Sequence, residues 1–501
     1  MKIQQFLEHH GIVRNPFAEE DAQTDPVFKD YCIASTYHPS WDKVYGDPRE
    51  PATSVVFGER GSGKTAMRLQ IARHLREFNG KNPRKRVFVI HYDDFNPFLD
   101  HFRDKLSARR RRPDKVLGEW KLWDHMDAIL SLAVTGIVDR ILEIKQPSAC
   151  VDADLDLRDI TDLDRNQSRD LLLLAACYDQ STAESFKSRW NQLRRRLGFR
   201  TWAASRSFAL GCGVSLAIVL LTGVLFAQGA AKWLDPLWIW LAIAGAAWLP
   251  WLWRVVRCWR LARGILHHMR VGVRETKPLR QVLMRFTAAE ISSQPLPNKD
   301  STDARYEMLL KLQGLLQSFG YSGMIVLVDR VDEPHLINGA AEFMKALLWP
   351  MLDNKFLKHP GLGIKMMLPI ELTRFIEREE RDFYQRARLD KQNMIPRFEW
   401  TAEGLYDVAS ARLQACAAED RSPSLHGFLD PSVSTPRLME ALRSLRTPRH
   451  LFRFLYRLLV NHCNAHTDEN PAWNISSELF ESTLAVYLRD QDAFDRGVGA
   501  G

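Results

Sequence analysis

Ser54-Val55-Val56-Phe57-Gly58-Glu59-Arg60-Gly61-Ser62-Gly63-Lys64-Thr65-Ala66 is the stretch whose reading decides the fold. Ser54–Phe57 is a β-branched and aromatic run that reads as a short buried strand. It enters a glycine-rich loop, and Lys64–Phe78 reads as a helix. The loop Gly58–Thr65 fits G-x-x-x-x-G-K-[ST], the Walker A pattern. The physics accounts for each residue type. Glycines let backbone N–H groups curl around phosphate oxygens. The N-terminus of the helix adds a partial positive charge. Lys64 is placed to reach the β- and γ-phosphates of a nucleotide, and the Thr65 hydroxyl to bind Mg²⁺. The expected nucleotide-binding set is therefore Gly58, Glu59, Arg60, Gly61, Ser62, Gly63, Lys64, Thr65 and Ala66.

Such a loop needs a carboxylate to hold magnesium. Met324-Ile325-Val326-Leu327-Val328-Asp329-Arg330-Val331-Asp332-Glu333 supplies one: an apolar strand ending in an acid, the Walker B form. Asp329 is the expected magnesium ligand alongside Thr65, because ligands of open α/β sheets bind at the carboxyl ends of strands. Asp332 and Glu333 are the candidates for orienting an attacking water. Arg330 stands directly after Asp329, where hydrolytic enzymes of this class often carry Glu.

Positions 64 and 329 lie 265 residues apart, and the sequence between them is unusual. Ser207–Ala231 and Pro236–Trp253 contain no charged residue. At 1.5 Å per residue each is long enough for a hydrocarbon core of about 30 Å. Trp238, Trp240, Trp248, Trp251 and Trp253 cluster toward the ends of the second run, as interfacial tryptophans do. Only Lys232 and Asp235 lie between the runs. The outer flanks are Lys187–Arg206 and Arg254–Arg274, which hold 13 Lys and Arg and no acid. The net charge is +8, so the rest of the chain stands at −5. The excess charge thus belongs to two juxtamembrane segments and not to a nucleic-acid-binding face. The positive-inside rule puts both flanks in the cytoplasm, and the same arginines predict contact with anionic lipid.

Seven cysteines, Cys32, Cys150, Cys177, Cys212, Cys258, Cys416 and Cys463, form no C-x-x-C pair and suit a reducing compartment. The opening MKIQQFLEHHGIVRNPF has no long apolar stretch of the signal-peptide kind, and residues 1–50 read as an irregular lead-in. Asp152–Asp164 (DADLDLRDITDLD) imitates the start of a calcium loop, but Leu157 and Leu163 stand where Gly and Glu are required. It reads as an acidic linker. Arg86–Tyr92, Gly363–Leu368 and Met394–Phe398 read as further strands, and the chain from Thr401 onward as helices. Strands alternating with helices imply a parallel sheet with helices on both faces. The expected organisation is residues 1–150 as the first part of the nucleotide-binding domain, 151–206 as acidic linker and basic juxtamembrane helix, and 207–253 as a transmembrane hairpin. Residues 254–320 follow as basic return helices, 321–400 as the second part of the domain, and 401–501 as a helical lid.

This arrangement resembles the KAP family of P-loop NTPases, on the STAND-like and AAA+-like side of that class, in which membrane helices lie between Walker A and Walker B. Thr447-Pro448-Arg449-His450, ahead of LFRFLYRLL, looks like a sensor-2 helix. Thr447 suits the N-cap and Pro448 the first helical position. The resemblance implies that Arg449 points toward the γ-phosphate, with Arg453 and Arg457 on the same face. The strand GLGIKMMLPIELTR departs from the family in lacking an evident Asn or Thr sensor. The resemblance implies a multi-pass, membrane-anchored ATPase of the cell's inner membrane. It would bind ATP·Mg²⁺ in the cytoplasm, assemble as a homo-oligomer and couple binding or hydrolysis to a conformational change, in a setting such as bacterial defence or stress signalling. Two other readings stay open: a nucleotide-gated membrane scaffold without turnover, and a DNA-binding ATPase of the origin-recognition or STAND type. The acidic balance of the soluble remainder argues against nucleic acid as a partner.

Overall fold

The computed structural model describes residues 1–144, 150–152, 155, 160, 162–227, 237–292 and 294–495. The fold is α/β. Six strands, β1 Ser54–Gly58, β2 Arg86–Tyr92, β3 Val151–Asp152, β4 Tyr321–Val328, β5 Leu362–Pro369 and β6 Asn393–Ile395, form one sheet in the order β3-β2-β4-β5-β1-β6. β1 runs parallel to β5, with Ser54 opposite Lys365, and parallel to β6. Every residue of β1 and β5 is buried, which is why both read as unbroken apolar runs. The sheet is mixed, not wholly parallel as the alternation of elements implied, because β3 pairs antiparallel with β2. An antiparallel neighbour needs no crossover helix, and a two-residue strand leaves no periodic signal in the sequence.

The chain divides into two compact units: Met1–Asn82 with Ile325–Lys345 and Leu352–Gly501, and Pro83–Met324 with Ala346–Met351. In the first unit the lead-in is ordered and structural, contrary to expectation. It contains helices Ile3–His9 and Trp41–Tyr45, and Phe6, Leu7, Ile12 and Phe17 are buried in one hydrophobic cluster with Leu405, Leu442, Phe454 and Phe480. The C-terminal helices Ala402–Ala415, Thr435–Leu445, Pro448–Ala465 and Ser477–Asp495 supply most of the rest of that cluster.

β5 carries one charge into this unit's interior. Lys365 is 1% exposed, and its ammonium donates to the carbonyls of Val44 (2.7 Å) and Tyr45 (3.0 Å). Burial pulls its pKa from 10.5 down to about 8. The unfolded chain therefore binds this proton more tightly, so the penalty is fully present below pH 8 and is relieved as pH rises toward 10.5. Thermal melts of wild type and Lys365→Met at pH 7 to 10 should show wild type gaining on the variant by up to about 3 kcal/mol over that interval. A constant difference would mean that Lys365 stays charged in the fold up to pH 10 and that burial does not lower its pKa.

The second unit holds a buried ionic network. Arg305 pairs with Asp127 at 3.0 Å, both side chains wholly buried, and the Tyr178 hydroxyl donates to the same carboxylate at 2.9 Å. Arg189 joins Asp139 and Asp179 at 2.8 and 2.9 Å, and Arg270 pairs with Asp124 at 2.5 Å. Three of the flanking arginines therefore face inward: Arg189, Arg270, and Arg274, which stacks over the Phe186 ring. Charge counting could not separate these from the exposed Arg195, Arg200, Arg206, Arg257, Arg260 and Arg263.

Two helices, Arg206–Ala227 and Leu237–His268, are long and apolar enough to cross a membrane. Neither is buried as the core hairpin of a soluble domain would be. Almost none of either apolar segment is buried, and Val219, Phe226 and Leu241 are 65%, 75% and 72% exposed. They pack on each other where Gly211 leaves room for the Trp248 indole, whose Nε1–H donates to Ser215 Oγ at 3.1 Å. The second helix runs on through Pro250 to His268, so Arg254, Arg257, Arg260 and Arg263 continue the same helix and form no separate return element. The connection with Lys232 and Asp235, and most of the acidic stretch 152–164, lie outside the described residues.

Candidate phosphate-binding site

β1 delivers the chain to the glycine-rich loop, and Gly63 caps the helix Lys64–Lys81. Gly61 and Gly63 have φ of +81° and +94°, a region costly for side-chain-bearing residues. At Gly61 space is decisive as well as conformation. An added Cβ would lie 2.4 Å from Arg449 Cβ. The Arg449 N–H donates to the Gly61 carbonyl at 3.3 Å, and the Trp400 indole donates to the Ser62 carbonyl at 2.7 Å. The loop is thus braced by the first turn of the helix Pro448–Ala465, whose N-cap is Thr447 with Pro448 at the first position, as expected.

The Lys64 ammonium donates to the carbonyls of Gly58 and Glu59, both at 2.8 Å. Burial pushes its pKa down, while Asp329, Asp332 and Glu371 oppose that shift. Glu371 follows β5, so the strand without an evident sensor still contributes a carboxylate to the field at Lys64.

Asp329 follows β4 directly and is 2% exposed. The Thr65 hydroxyl and the Arg330 backbone N–H both donate to its carboxylate. Burial raises its pKa, against the pull of Arg68, these two hydrogen bonds and Lys64. Arg68 Nε lies 3.2 Å from Asp329 Oδ2, with both side chains buried. Sequence reasoning missed Arg68. The available signal was its spacing, three residues after Thr65 and four after Lys64, which puts it on the same helix face.

Arg330 occupies the left-handed region, with φ of +57°. Its side chain lies 3.5 Å from Glu333 and 3.8 Å from Asp21. Asp332 is 3.6 Å from Arg60 of the glycine-rich loop. Burial, and repulsion from Asp332, Asp329 and Asp21, raise the Glu333 pKa against the pull of Arg330. The structure therefore brings Asp332 to the loop through Arg60, and couples Glu333 to Arg330. Arg449 and Arg453 share Glu20, at 3.9 and 2.7 Å, whereas Arg457 leaves that face to meet Asp490 at 2.8 Å.

A pocket opens beside the loop. Gly61, Gly63, Lys64 and Thr65 form one wall, Phe28, His38, Trp400, Val408 and Phe452 line an apolar and aromatic part, and Glu20, Asp21, Asp25, Arg412 and Arg449 complete the lining. The His38 ring stacks on Phe398 with centroids 3.8 Å apart, and its Nε2 pairs with the Glu399 carbonyl at 2.8 Å. His38, Trp400 and Phe28 carried no motif and were not anticipated. Their wall is apolar and aromatic while the loop presents polar backbone, an arrangement suited to a ligand with a flat ring at one end and an anion at the other. Thr65 and Asp329 together offer hard oxygen donors of the kind Mg²⁺ takes. The comparisons with family models, curated proteins and solved structures return no match for this chain.

Proposed function

We propose that this chain is a membrane-anchored P-loop NTPase of the KAP type. It binds ATP·Mg²⁺ at Gly58–Ala66 and couples binding or hydrolysis to movement of the helical segment 401–501. The observation that carries the reading is the hydrogen bond between Thr65 and Asp329 beside the Lys64 ammonium. Residues far apart in sequence, one at the end of the glycine-rich loop and one after β4, are neighbours in the fold. In this reading the glycine-rich loop and Lys64 hold the phosphates. Thr65 and Asp329 hold Mg²⁺, which supplies charge neutralisation of the phosphate oxygens. The apolar pocket takes the base, and Arg449 is aimed from the lid. The exposed apolar helices support insertion in the cell's inner membrane, with both soluble parts on the cytoplasmic side. A homo-oligomer would supply an arginine in trans.

A second reading, the nucleotide-gated scaffold, draws on one observation. Both candidate water-orienting acids already face arginines, Asp332 at Arg60 and Glu333 at Arg330. Phosphate release by the detergent-solubilised full chain separates the two. With turnover, Asp332→Asn combined with Glu333→Gln should lower the rate by about 100-fold or more while ATP still binds. Wild-type release no faster than that of the double variant leaves the scaffold.

A further inference from the structure

At the base of the two exposed apolar helices the second unit contains a cavity of about 310 Å³ that the nucleotide site does not use. Lys187, Arg194, Arg254 and Arg285 line it, and no Asp or Glu does. Among the described residues none of these four cations is paired with a carboxylate. Arg254 is spent on structure: it donates to the carbonyls of Ala204, Met284 (2.7 Å) and Phe286 (2.5 Å), tying both helix ends to the body. Arg194 is only partly engaged, its Nη1 donating to the Phe199 carbonyl at 3.4 Å. Its Nε is buried without a hydrogen-bond partner, and burial together with Arg285 and Arg195 pulls its pKa down. Cations crowded at a half-enclosed site with no counter-charge call for an anion. The lining is also aromatic: Phe208 lies in the first turn of the first apolar helix and Trp251 near the end of the second apolar run, with ring centroids 6.1 Å apart. With these helices inserted in a bilayer, this is the level where headgroup gives way to acyl chain.

We propose that this cavity is a binding site for one anionic glycerophospholipid, its phosphate held by Arg194, Arg285 and Lys187 and its acyl chains laid along Phe208 and Trp251. The proposal rests on the membrane reading above, but differs from diffuse attraction of the arginine flanks to a charged surface. It assigns the interaction to a built site that Arg257 and Arg260, exposed on the same helix, do not line.

The test uses the full chain, delipidated in a mild detergent and titrated with phosphatidylglycerol, phosphatidylcholine or inorganic phosphate, with retained ligand counted by native mass spectrometry. Phosphatidylglycerol should be retained at one copy per chain and phosphatidylcholine should not. Arg194→Gln with Arg285→Gln should weaken retention about 10-fold or more, and Arg257→Gln with Arg260→Gln should leave it within about two-fold. Equal weakening by both pairs overturns the site in favour of diffuse charge. Displacement of the lipid by low-millimolar inorganic phosphate overturns the lipid in favour of a soluble phosphate. Flotation with mixed vesicles keeps the two readings apart. Wild type that floats but retains no lipid in detergent sinks the site alone, whereas wild type that does not float sinks the membrane reading and the site with it.

Discussion

Lys64→Ala should weaken ATP·Mg²⁺ binding by at least about 100-fold, roughly 3 kcal/mol. Two contributions add. The ammonium would otherwise make charge-assisted hydrogen bonds to phosphate oxygens, each stronger than its neutral counterpart. In the structure it also bonds the Gly58 and Glu59 carbonyls, so it holds the loop whose N–H groups must converge on the anion. The cation is poised for exchange. Its present partners are neutral carbonyls, burial lowers its pKa, and Asp329, Asp332 and Glu371 keep its charge favourable. A phosphate offers more than these carbonyls do. Isothermal titration of wild type and variant measures the effect, and matched thermal melts in the absence of nucleotide check that the variant folds. Equal affinity would sink the site assignment, because nothing else in the loop can supply that charge except Arg60, which faces Asp332.

What could be read in advance follows from how locally each feature is encoded. β1, β2 and β5 are short runs of buried apolar residues between punctuating glycines and prolines, and their limits fell within a residue or two of expectation. The glycine-rich loop is legible because a single contiguous segment carries its chemistry. The Thr447 cap is legible for the same reason. Features assembled from distant segments were not. Phe6, Leu7 and Phe17 look like isolated apolar residues in a polar leader, and only the C-terminal helices 402–495 show what they pack against. Arg68 on an amphipathic helix is indistinguishable from a solvated cation until the chain returns 261 positions later with Asp329. The inward turn of Arg189 and Arg270 has the same origin, since their carboxylates lie on other segments of the chain. The second apolar run reads as ending at Trp253, with Pro250 near that end, yet the helix passes both. A proline removes one ladder hydrogen bond, and where neighbouring groups re-satisfy the freed backbone a helix can continue.

Arg68→Leu should produce the second large effect, and ligand should offset part of it. In the absence of nucleotide the substitution leaves the buried Asp329 carboxylate without its nearest cation, with only the Thr65 hydroxyl, the Arg330 N–H and Lys64 in support. Breaking a buried pair by removing one partner costs about 3–5 kcal/mol, which for a unit of this size is a fall in Tm of about 6–15 °C. Burial already raises the Asp329 pKa, so loss of Arg68 raises it further. A folded pKa above the unfolded one gives stability that is present at low pH and lost as pH rises through the folded value. The deficit of the variant should therefore shrink as acidification protonates Asp329 and grow as pH rises through its folded pKa. Asp329→Asn should relieve most of it, and a double-mutant cycle should return a coupling of at least about 2 kcal/mol. Mg²⁺ with ATP then acts on the two proteins differently. In wild type a divalent cation at Thr65 and Asp329 must share the carboxylate with a guanidinium 3.2 Å away. In Arg68→Leu it has no such competitor and replaces the missing charge, so ligand-induced stabilisation should be larger in the variant. Thermal melts with and without ATP·Mg²⁺ measure both halves. A variant as stable as wild type without ligand would mean that Asp329 is neutral there, and identical ligand shifts would mean that the cation does not bind at Asp329.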